Sequence, residues 1–288
     1  MYVVDLFCGC GGFSTGAEKA GHTIVLAIDA WDKALEAHQY NHPKTTHIQM
    51  ELGGDLKETK DLIMRYVPKG KLWHLHGSPP CQNLSVANRT AGDTAEGMRL
   101  VTWYLNLVKL CRPTSWSMEQ VIGARHHLNE ADFEQFHIIN TADYKVPQTR
   151  KRLFVGAGWE LPAPLGMLTL DDKLPWLREE GDLIKGYKNT ISVKNNGEHT
   201  GNRKIQGYEG FKTIYEPTYT VCAAGPLKLY VDTKQGPVYV RDLTVEEHLL
   251  IQGFPDTYNL PRTISKGDQF TLVGNAVAPP VAFLIMKK

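Results

Sequence analysis

The sequence predicts an α/β protein whose mostly parallel sheet is interrupted by a small, loop-rich insertion. Over residues 1–160, short apolar runs alternate with stretches of helical spacing, which is the pattern of successive βαβ units. Between residues 161 and 215, prolines, glycines and polar residues dominate and periodicity is weak. We therefore expect a first domain over 1–160, a small separate region over 161–238 and a return to the first domain over 239–288.

The individual elements follow from the spacing of apolar residues. Buried strands are predicted where apolar residues run together, at residues 2–7, 24–28, 72–76, 115–118 and 153–157. Helices are predicted where apolar residues recur at helical spacing, at residues 14–20, 33–40, 99–110, 244–252 and 274–286.

The composition is that of an ordinary globular protein. Hydrophobic residues make up 42% of the chain and charged residues 22%, and no run approaches the roughly 18 apolar residues that a membrane span needs. The chain begins directly in an apolar run without a basic segment, so we expect no secretory signal and an intracellular protein. The net charge of +1 neither favours nor excludes nucleic acid, because charge can concentrate on one face.

The cysteines predict neither a disulfide framework nor a metal site. There are five of them, with no Cys-x-x-Cys pair. We interpret Cys8, Cys10, Cys111 and Cys222 as reduced thiols in the core or lining turns. Cys81 differs, because it follows two prolines that fix the backbone in the sequence Gly-Ser-Pro-Pro-Cys-Gln and has polar neighbours. This pattern indicates a positioned thiol.

A glycine-rich turn follows the first predicted strand, in the sequence Asp-Leu-Phe-Cys-Gly-Cys-Gly-Gly-Phe. Such a turn at the start of a helix brings backbone N–H groups close to a ligand. Asp29, at the end of the second predicted strand, is where a carboxylate would bind both hydroxyls of a ribose. A tight turn with a helix-capping aspartate explains the pattern equally well by itself.

Two polar motifs follow later strands. Glu119 ends one strand in the sequence Met-Glu-Gln-Val, and Gln148, Arg150 and Arg152 alternate in the sequence Gln-Thr-Arg-Lys-Arg. In an extended segment these three side chains project from one face, where arginines suit phosphate or carbonyl groups. A solvated surface cluster is the ordinary alternative.

Taken in order, the motifs resemble those of the DNA cytosine-5 methyltransferase family. The shared blocks are Asp-Leu-Phe-Cys-Gly-Cys-Gly-Gly, Pro-Pro-Cys-Gln, Glu-Gln-Val, Gln-Thr-Arg-Lys-Arg, Arg-Asp-Leu-Thr through Gln-Gly-Phe-Pro, and Gly-Asn-Ala-Val. They span nearly the whole chain outside residues 161–215. The resemblance implies a Rossmann-like S-adenosylmethionine-dependent methyltransferase fold with a small, loop-rich target-recognition domain over 161–238. It also implies methyl transfer to carbon 5 of cytosine in duplex DNA.

The resemblance also implies the catalytic residues. The thiolate of Cys81 would add to carbon 6 of cytosine, which makes carbon 5 nucleophilic. Glu119 would protonate or hydrogen-bond ring nitrogen 3. Arg152, with Arg150, would bind the base carbonyl or a phosphate and hold Glu119. Ordered water would remove the proton from carbon 5, and the base would have to be flipped out of the duplex.

The matching motifs imply a pocket for S-adenosylmethionine. Its residues would be Phe7, Gly9, Cys10, Gly12, Asp29, Glu51, Leu52, Pro80, Leu100, Asn275 and Val277. Asp29 would bind the ribose, and Glu51 with Leu52 would meet the adenine, although Asp55 competes with Glu51 for that role.

Double-stranded DNA is the implied partner, with no protein partner and a monomer acting in a bacterial or phage-type cytoplasm. Candidate DNA contacts are Ser85, Arg89, Gln148, Arg203 and Lys204. The loop over residues 85–97 is placed to close behind the reactive cysteine, and an ordinary solvated loop is an equal alternative.

Two features depart from the family pattern. Gln120 stands where the family has Asn, and its extra methylene would shift the hydrogen bonds that support the Cys81 segment. The insertion is short, about 55 residues, which suggests a short or relaxed target site. The rivals are a transfer RNA methyltransferase, a catalytically silent DNA-binding relative and an enzyme with another group donor. Restriction-modification, phage self-protection and regulatory marking fit the sequence equally.

Overall fold

The computed structural model describes residues 1–80, 94–182, 191–194, 204–205, 208–209, 211–233 and 236–287. The chain divides into two compact units. Unit 1 comprises Met1–Ile139, Lys151–Ala163 and Ala276–Lys288, and unit 2 comprises Asn140–Arg150 and Pro164–Asn275.

Unit 1 is built on a seven-stranded sheet. Its strands are β1 (Tyr2–Leu6), β2 (Thr23–Asp29), β3 (Thr46–Gln49), β4 (Trp73–Gly77), β5 (Ser115–Gln120), β6 (Gln135–Asn140) and β7 (Lys151–Ala157), in the order β3-β2-β1-β4-β5-β7-β6. Strands β1 to β5 pair in parallel, and β7 pairs antiparallel with β5. The order of connection reverses between β1 and β4, and ligands of α/β sheets bind beyond the carboxyl ends of the strands at such a point.

Helices cover both faces of this sheet. They are α1 (Gly12–Lys19), α2 (Asp32–Asn41), α3 (Leu56–Tyr66), α4 (Thr94–Cys111) and, at the end of the chain, α9 (Pro279–Met286). Helix α1 packs closely on α9 because Gly16 has no Cβ; an added Cβ would lie 2.3 Å from the carbonyl oxygen of Pro279. On β4, Gly77 similarly makes room for the ring of Tyr104, whose hydroxyl donates to the carbonyl oxygens of Leu75 and Ser117.

Unit 2 contains short helices and two small sheets. The elements are α5 (Leu170–Lys173), α6 (Trp176–Asp182), β8 (Ile191–Lys194), β9 (Lys204–Ile205), β10 (Tyr208–Glu209), β11 (Phe211–Thr213), β12 (Lys228–Thr233), β13 (Gly236–Asp242), α7 (Val245–Gln252) and α8 (Lys266–Asn275). The larger sheet has the order β11-β8-β12-β13. Arg241 on β13 pairs with Glu180 on α6 and Glu247 on α7, which ties these elements together.

The predicted α/β class and its strands are confirmed, with three differences in detail. The sequence patterns did not predict α3, β3 or β6, nor the short helices and strands of unit 2 that precede α7. The predicted helix at 274–286 is broken between α8 and α9, and most of α8 was not predicted. The domain boundaries also differ: residues 239–275 cluster with unit 2 rather than with the sheet of unit 1. The cause is local pairing, since β13 pairs with β12 and the backbone N–H of Leu227 donates to His248 on α7.

Among the described residues, one segment is apolar and long enough to cross a membrane. A stretch of 18 residues within Lys266–Met286 has a mean hydropathy of 1.5, and 67% of that stretch is buried inside the protein. Because α9, which forms its second half, packs on α1, we interpret the segment as core.

Candidate active site

The glycine-rich turn after β1 has a backbone that favours glycine. Phe7, Gly9 and Gly11 have φ angles of 56°, 54° and 88°, in the left-handed region where an L side chain is strained. The turn is closed by the N–H of Gly11, which donates to the carbonyl oxygen of Cys8 at 2.9 Å. A strained conformation at Phe7 is of the kind that functional sites retain.

The turn has one crowded side and one open side. A Cβ added at Gly12 would lie 2.1 Å from the carbonyl oxygen of Val277, so the final segment of unit 1 packs directly on the turn. A Cβ added at Gly9 would meet no described atom within 4 Å. This open space beside exposed backbone fits the close approach of a cofactor.

Asp29 lies at the end of β2, directly beside the turn. Its Oδ2 accepts from the N–H of Gly9 and its Oδ1 from the N–H of Trp31, both at 2.9 Å. Burial raises the pKa of Asp29 above its usual value, while these backbone hydrogen bonds act in the opposite direction. Each carboxylate oxygen has further lone pairs, so the group can still accept from a ribose hydroxyl.

The structure separates the two candidates for the adenine contact. Asp55 is the N-cap of α3 and accepts from the N–H of Glu58 at 2.8 Å, whereas Glu51 is exposed. Leu52 is buried, and the Leu100 side chain lies close to the adjacent Gly53. The geometry therefore favours Glu51 over Asp55.

The remaining predicted cofactor residues lie in different environments. Val277 and Cys10 are buried in unit 1, while Pro80 is exposed. Asn275 is exposed at the end of α8 in unit 2.

Glu119 and Arg152 form an ion pair on neighbouring strands of unit 1. Arg152 Nε lies 3.0 Å from Glu119 Oε1, and the two side chains are 20% and 11% exposed. Glu119 is paired in register with Phe154 on β7, and Arg152, two residues earlier, is on the same face. The predicted partnership of these two residues is therefore present in the geometry.

Gln120 supports the segment that precedes Cys81. Its side chain is 2% exposed, and its Nε2 donates to the carbonyl oxygen of Pro79 at 2.5 Å. The longer side chain therefore reaches the Pro-Pro segment and hydrogen-bonds it.

Gln148 and Arg150 are buried with their partners in unit 2, which corrects the expectation that they present their side chains at a surface. Gln148 is fully buried in unit 2: its Nε2 donates to Gln252 Oε1 and its Oε1 accepts from the N–H of Val221. Such a side chain has no surface to offer DNA. Arg150 is 2% exposed and donates to the carbonyl oxygens of Val221 and Gly274, both at 3.0 Å.

Several predicted residues lie outside the described residues. These are Cys81, Ser85, Arg89 and Arg203, and of Lys204 only the backbone in β9 is described. The thiols that are described fit the core interpretation: burial raises the pKa of Cys10 to about 12 and that of Cys111 to about 11, so both are neutral.

A polar stripe on β4 and β5 was not predicted from the sequence. His74 and His76 on β4 face Ser115 and Ser117 on β5, all buried. The available signal was the alternation in His-Leu-His and Ser-Trp-Ser, which puts these four side chains on one face of a parallel pair.

The carboxyl edge of the sheet thus combines a cofactor-type glycine turn, an acid paired with an arginine, and the fixed start of a cysteine loop. Chemically, this edge can bind a nucleotide-like ligand and exchange a proton with a substrate beside it.

Comparison with known proteins gives consistent results. The sequence model of the C-5 cytosine-specific DNA methylase family matches residues 1–159 and 172–288. The chain is similar to the Type II methyltransferase M.DdeI of Desulfomicrobium norvegicum, at 31% identity over 98% of this chain and 86% of the relative. It is also similar to the Type II methyltransferase M.FnuDI of Fusobacterium nucleatum, at 27% identity over 100% and 94%. Among solved structures, a mutant of Spodoptera frugiperda DNMT2 has the same fold, with a TM-score of 0.65 at 17% identity over 98% of this chain and 97% of that one.

Proposed function

We propose that this chain, which belongs to the C-5 cytosine-specific DNA methylases, methylates a flipped cytosine of duplex DNA through a covalent adduct on Cys81. Enzymes of this family use S-adenosylmethionine to methylate carbon 5 of cytosine in DNA. The observation that carries this proposal is the Glu119–Arg152 pair at the carboxyl edge that also holds the glycine turn. S-adenosylmethionine supplies the electrophilic methyl group when it is bound at that turn.

In the proposed reaction, Cys81 Sγ gives its proton to water and forms a bond with carbon 6 of the cytosine. Electron density then moves towards ring nitrogen 3, and Glu119 stabilises it there by donating a proton. Carbon 5 then becomes the nucleophile and forms a bond with the methyl carbon, while the bond from that carbon to sulfur breaks and S-adenosylhomocysteine is the leaving group. Water removes the proton of carbon 5, the Sγ–C6 bond breaks and the proton on nitrogen 3 returns to Glu119.

Arg152 has two tasks in this proposal. It fixes the Glu119 carboxyl by the 3.0 Å contact. Its guanidinium carries further N–H groups, which can donate to the base carbonyl. Arg150 we assign to the architecture of unit 2 instead, because its guanidinium is buried and donates to two carbonyl oxygens.

The cofactor contacts that we propose are those of unit 1 around the turn. The backbone from Phe7 to Gly12 would lie along the ligand, Asp29 would accept from the ribose, and Glu51 with Leu52 would meet the adenine. The open space at Gly9 and the fixed carboxylate of Asp29 support this arrangement.

We propose double-stranded DNA as the substrate and a monomer as the active species. Unit 2 would read the target, with Arg203 and Lys204 among the candidate contacts, while Ser85 and Arg89 would lie near the reacting base. Relatives described as Type II methyltransferases support restriction-modification as the biological setting, in the cytoplasm of a bacterial cell.

The test is incubation of the purified protein with S-adenosylmethionine and mixed-sequence duplex DNA, followed by bisulfite sequencing. We expect methylated cytosines in one sequence context. Methylation of transfer RNA but not of duplex DNA would contradict the proposal.

The covalent step has its own test in Cys81→Ser. We expect this variant to bind S-adenosylmethionine like the wild type and to lose turnover. Cys111→Ser, which changes a buried thiol at the end of α4, is the matched control and should retain turnover. Turnover by Cys81→Ser would remove Cys81 as the nucleophile.

A further inference from the structure

A continuous line of hydrogen bonds joins β4 to β5 beneath the candidate active site. Ser115 Oγ lies 2.8 Å from His74 Nδ1, and His74 Nε2 lies 2.9 Å from Ser117 Oγ. Ser117 Oγ also lies 2.8 Å from His76 Nδ1, and His76 Nε2 lies 2.9 Å from Ser78 Oγ. We call these five side chains the His–Ser ladder.

The ladder excludes water along its length. Ser115, His74, Ser117 and His76 are each no more than 3% exposed. Phe13 of α1 covers the rings: its ring stacks on that of His76 with centroids 3.5 Å apart and planes within 1°. A buried line of donors and acceptors without solvent exchanges protons only through its own members.

The two ends of the ladder differ from its middle. His74 and Ser115 line a cavity of about 400 Å³ in unit 1, together with Glu134 and Glu160. Glu160 is exposed, so the cavity can be reached by water. At the other end, Ser78 is only partly buried and directly follows β4.

Ser78 and Glu119 directly follow the last registered pair of β4 and β5. The register of the two strands ends with the pairs His76–Ser117 and Gly77–Met118, and the next residues along the two chains are Ser78 and Glu119. The Ser78 side chain is on the face of His76, to which it bonds, and Glu119 is on the face of Ser117, because side chains alternate along a strand. The polar stripe therefore runs towards the carboxyl group proposed to donate to the base.

The protonation states suit proton conduction. Burial lowers the pKa of His74 to about 3 and that of His76 well below its usual value, so both rings are neutral. A neutral imidazole has one N–H and one bare nitrogen, and a serine hydroxyl both donates and accepts. Each member can therefore accept a proton on one side and release its own on the other, without any member staying charged.

We propose that the His–Ser ladder conducts protons between the cavity and Glu119. A hydronium ion in the cavity gives a proton to Ser115 Oγ and becomes water, each member passes its own proton to the next in one concerted step, and the Ser78 hydroxyl proton passes to the Glu119 carboxylate. After this transfer every hydrogen bond of the ladder points in the opposite direction. A proton that returns from Glu119 to the cavity along the same path restores the original directions. The ladder thereby lets the Glu119 carboxylate, which is paired with Arg152, exchange a proton with the cavity while a bound base covers it, an inference that rests on the proposed function.

The first test breaks the ladder at two points. His76→Gln keeps a donor and an acceptor but its amide does not relay a proton, and Ser117→Ala removes the central link. We expect single-turnover methyl transfer to slow by about 100-fold in each variant, the lower end of what a positioned acid or base contributes. Binding of S-adenosylmethionine and of DNA should stay unchanged. His38→Gln, a buried histidine of unit 1 outside the ladder, is the matched control.

Isotope measurements distinguish proton conduction from a structural role. In mixtures of H₂O and D₂O, a plot of the wild-type rate against the deuterium fraction of the solvent should be curved, because several protons move together. In His76→Gln and Ser117→Ala the dependence should become linear. Wild-type rates with unchanged curvature in both variants would overturn the proposal.

A second readout does not require activity. The ring N–H of His76, although buried, should exchange with solvent faster in the wild type than in Ser117→Ala, as followed by ¹⁵N nuclear magnetic resonance. If the wild type methylates no DNA, the proposed function fails while this exchange still decides the ladder. Equal exchange in the two proteins would overturn it.

Discussion

Arg150 and Arg152 are two residues apart, yet their surroundings assign them opposite roles. Arg150 is buried and donates to two backbone carbonyl oxygens in unit 2. Arg152 is 20% exposed and contacts Glu119 in unit 1. A buried carbonyl that loses its donor carries a desolvation cost, whereas a partly exposed ion pair contributes little to stability.

Replacing each arginine by leucine should therefore give different outcomes. Arg150→Leu leaves two carbonyl oxygens without that donor and should lower the free energy of unfolding by about 2–5 kcal/mol. Arg152→Leu should change it by less than about 1 kcal/mol and slow methyl transfer about 100-fold. Urea unfolding and single-turnover rates measure the two effects. A fully stable but inactive Arg150→Leu would instead assign Arg150 to the reaction.

Gln120 carries a second prediction at this scale. Gln120→Leu keeps the approximate volume but removes the Nε2 donor to the Pro79 carbonyl oxygen. Because Pro79 leads into the Cys81 segment, we expect a lower kcat with unchanged binding of S-adenosylmethionine. Gln120→Asn, which keeps an amide on a shorter side chain, should lie between Gln120→Leu and the wild type. A wild-type kcat in Gln120→Leu would show that this bond does not support catalysis.

At the scale of elements, α1 and α9 illustrate how the ends of the chain are joined. They meet at Gly16, where an added Cβ would lie 2.3 Å from the Pro279 carbonyl oxygen and 2.6 Å from Ala282 Cβ. Neither backbone can yield without moving a helix. The same α9 segment brings Val277 onto the glycine turn, so this packing also shapes the cofactor side of the sheet.

Gly16→Ala should therefore separate α1 from α9. We expect a loss of at least about 2 kcal/mol in the free energy of unfolding, because overpacking against backbone strains the core. Binding of S-adenosylmethionine should weaken in parallel. Gly54→Ala is the control: an added Cβ there has open space among the described atoms, and its effect should stay within about 1 kcal/mol. Equal stabilities in urea would contradict this account.

Local pattern predicted the elements whose signal is local. The run at β1 and the helical spacing in α4 were read correctly, because buried strands and amphipathic helices have characteristic periods. The short edge strands β3 and β6 lack such a run, since their residues are only partly buried. The break between α8 and α9 was missed because their apolar residues continue across it.

The candidate site was predictable to a smaller extent. The motifs around Asp29 and Glu119 come directly after strands, so their position at the carboxyl edge followed from the sequence. The burial of Gln148 did not, because its partners Val221 and Gln252 are distant in sequence. The His–Ser ladder likewise depends on the register between β4 and β5, which no single strand encodes.

At the scale of the whole molecule, buried ionisable groups determine how stability responds to acid. Burial lowers the pKa of His74 to about 3 and those of His38 and His76 well below 6.5. Burial also raises the pKa of Asp5 from 3.8 to about 7. The three histidines stay neutral on folding, and the unfolded chain binds protons below pH 6.5 that the folded protein does not. Their contribution to stability is therefore lost as the pH falls.

Asp5 acts with the opposite sign, and the balance gives a measurable prediction. At about pH 5.5 each histidine costs more than about 1 kcal/mol, and the three together cost about 4 kcal/mol. At that pH, folded Asp5 keeps a proton that the unfolded chain has released, which adds about 2 kcal/mol to the free energy of unfolding. This contribution is lost as the pH rises through about 7. The free energy of unfolding should therefore fall by about 2 kcal/mol between about pH 7.5 and 5.5. In urea titrations, His38→Gln should remove most of this loss, whereas His126→Gln, at an exposed position, should leave it intact. Stability that rises with acid would mean that Asp5 outweighs the histidines.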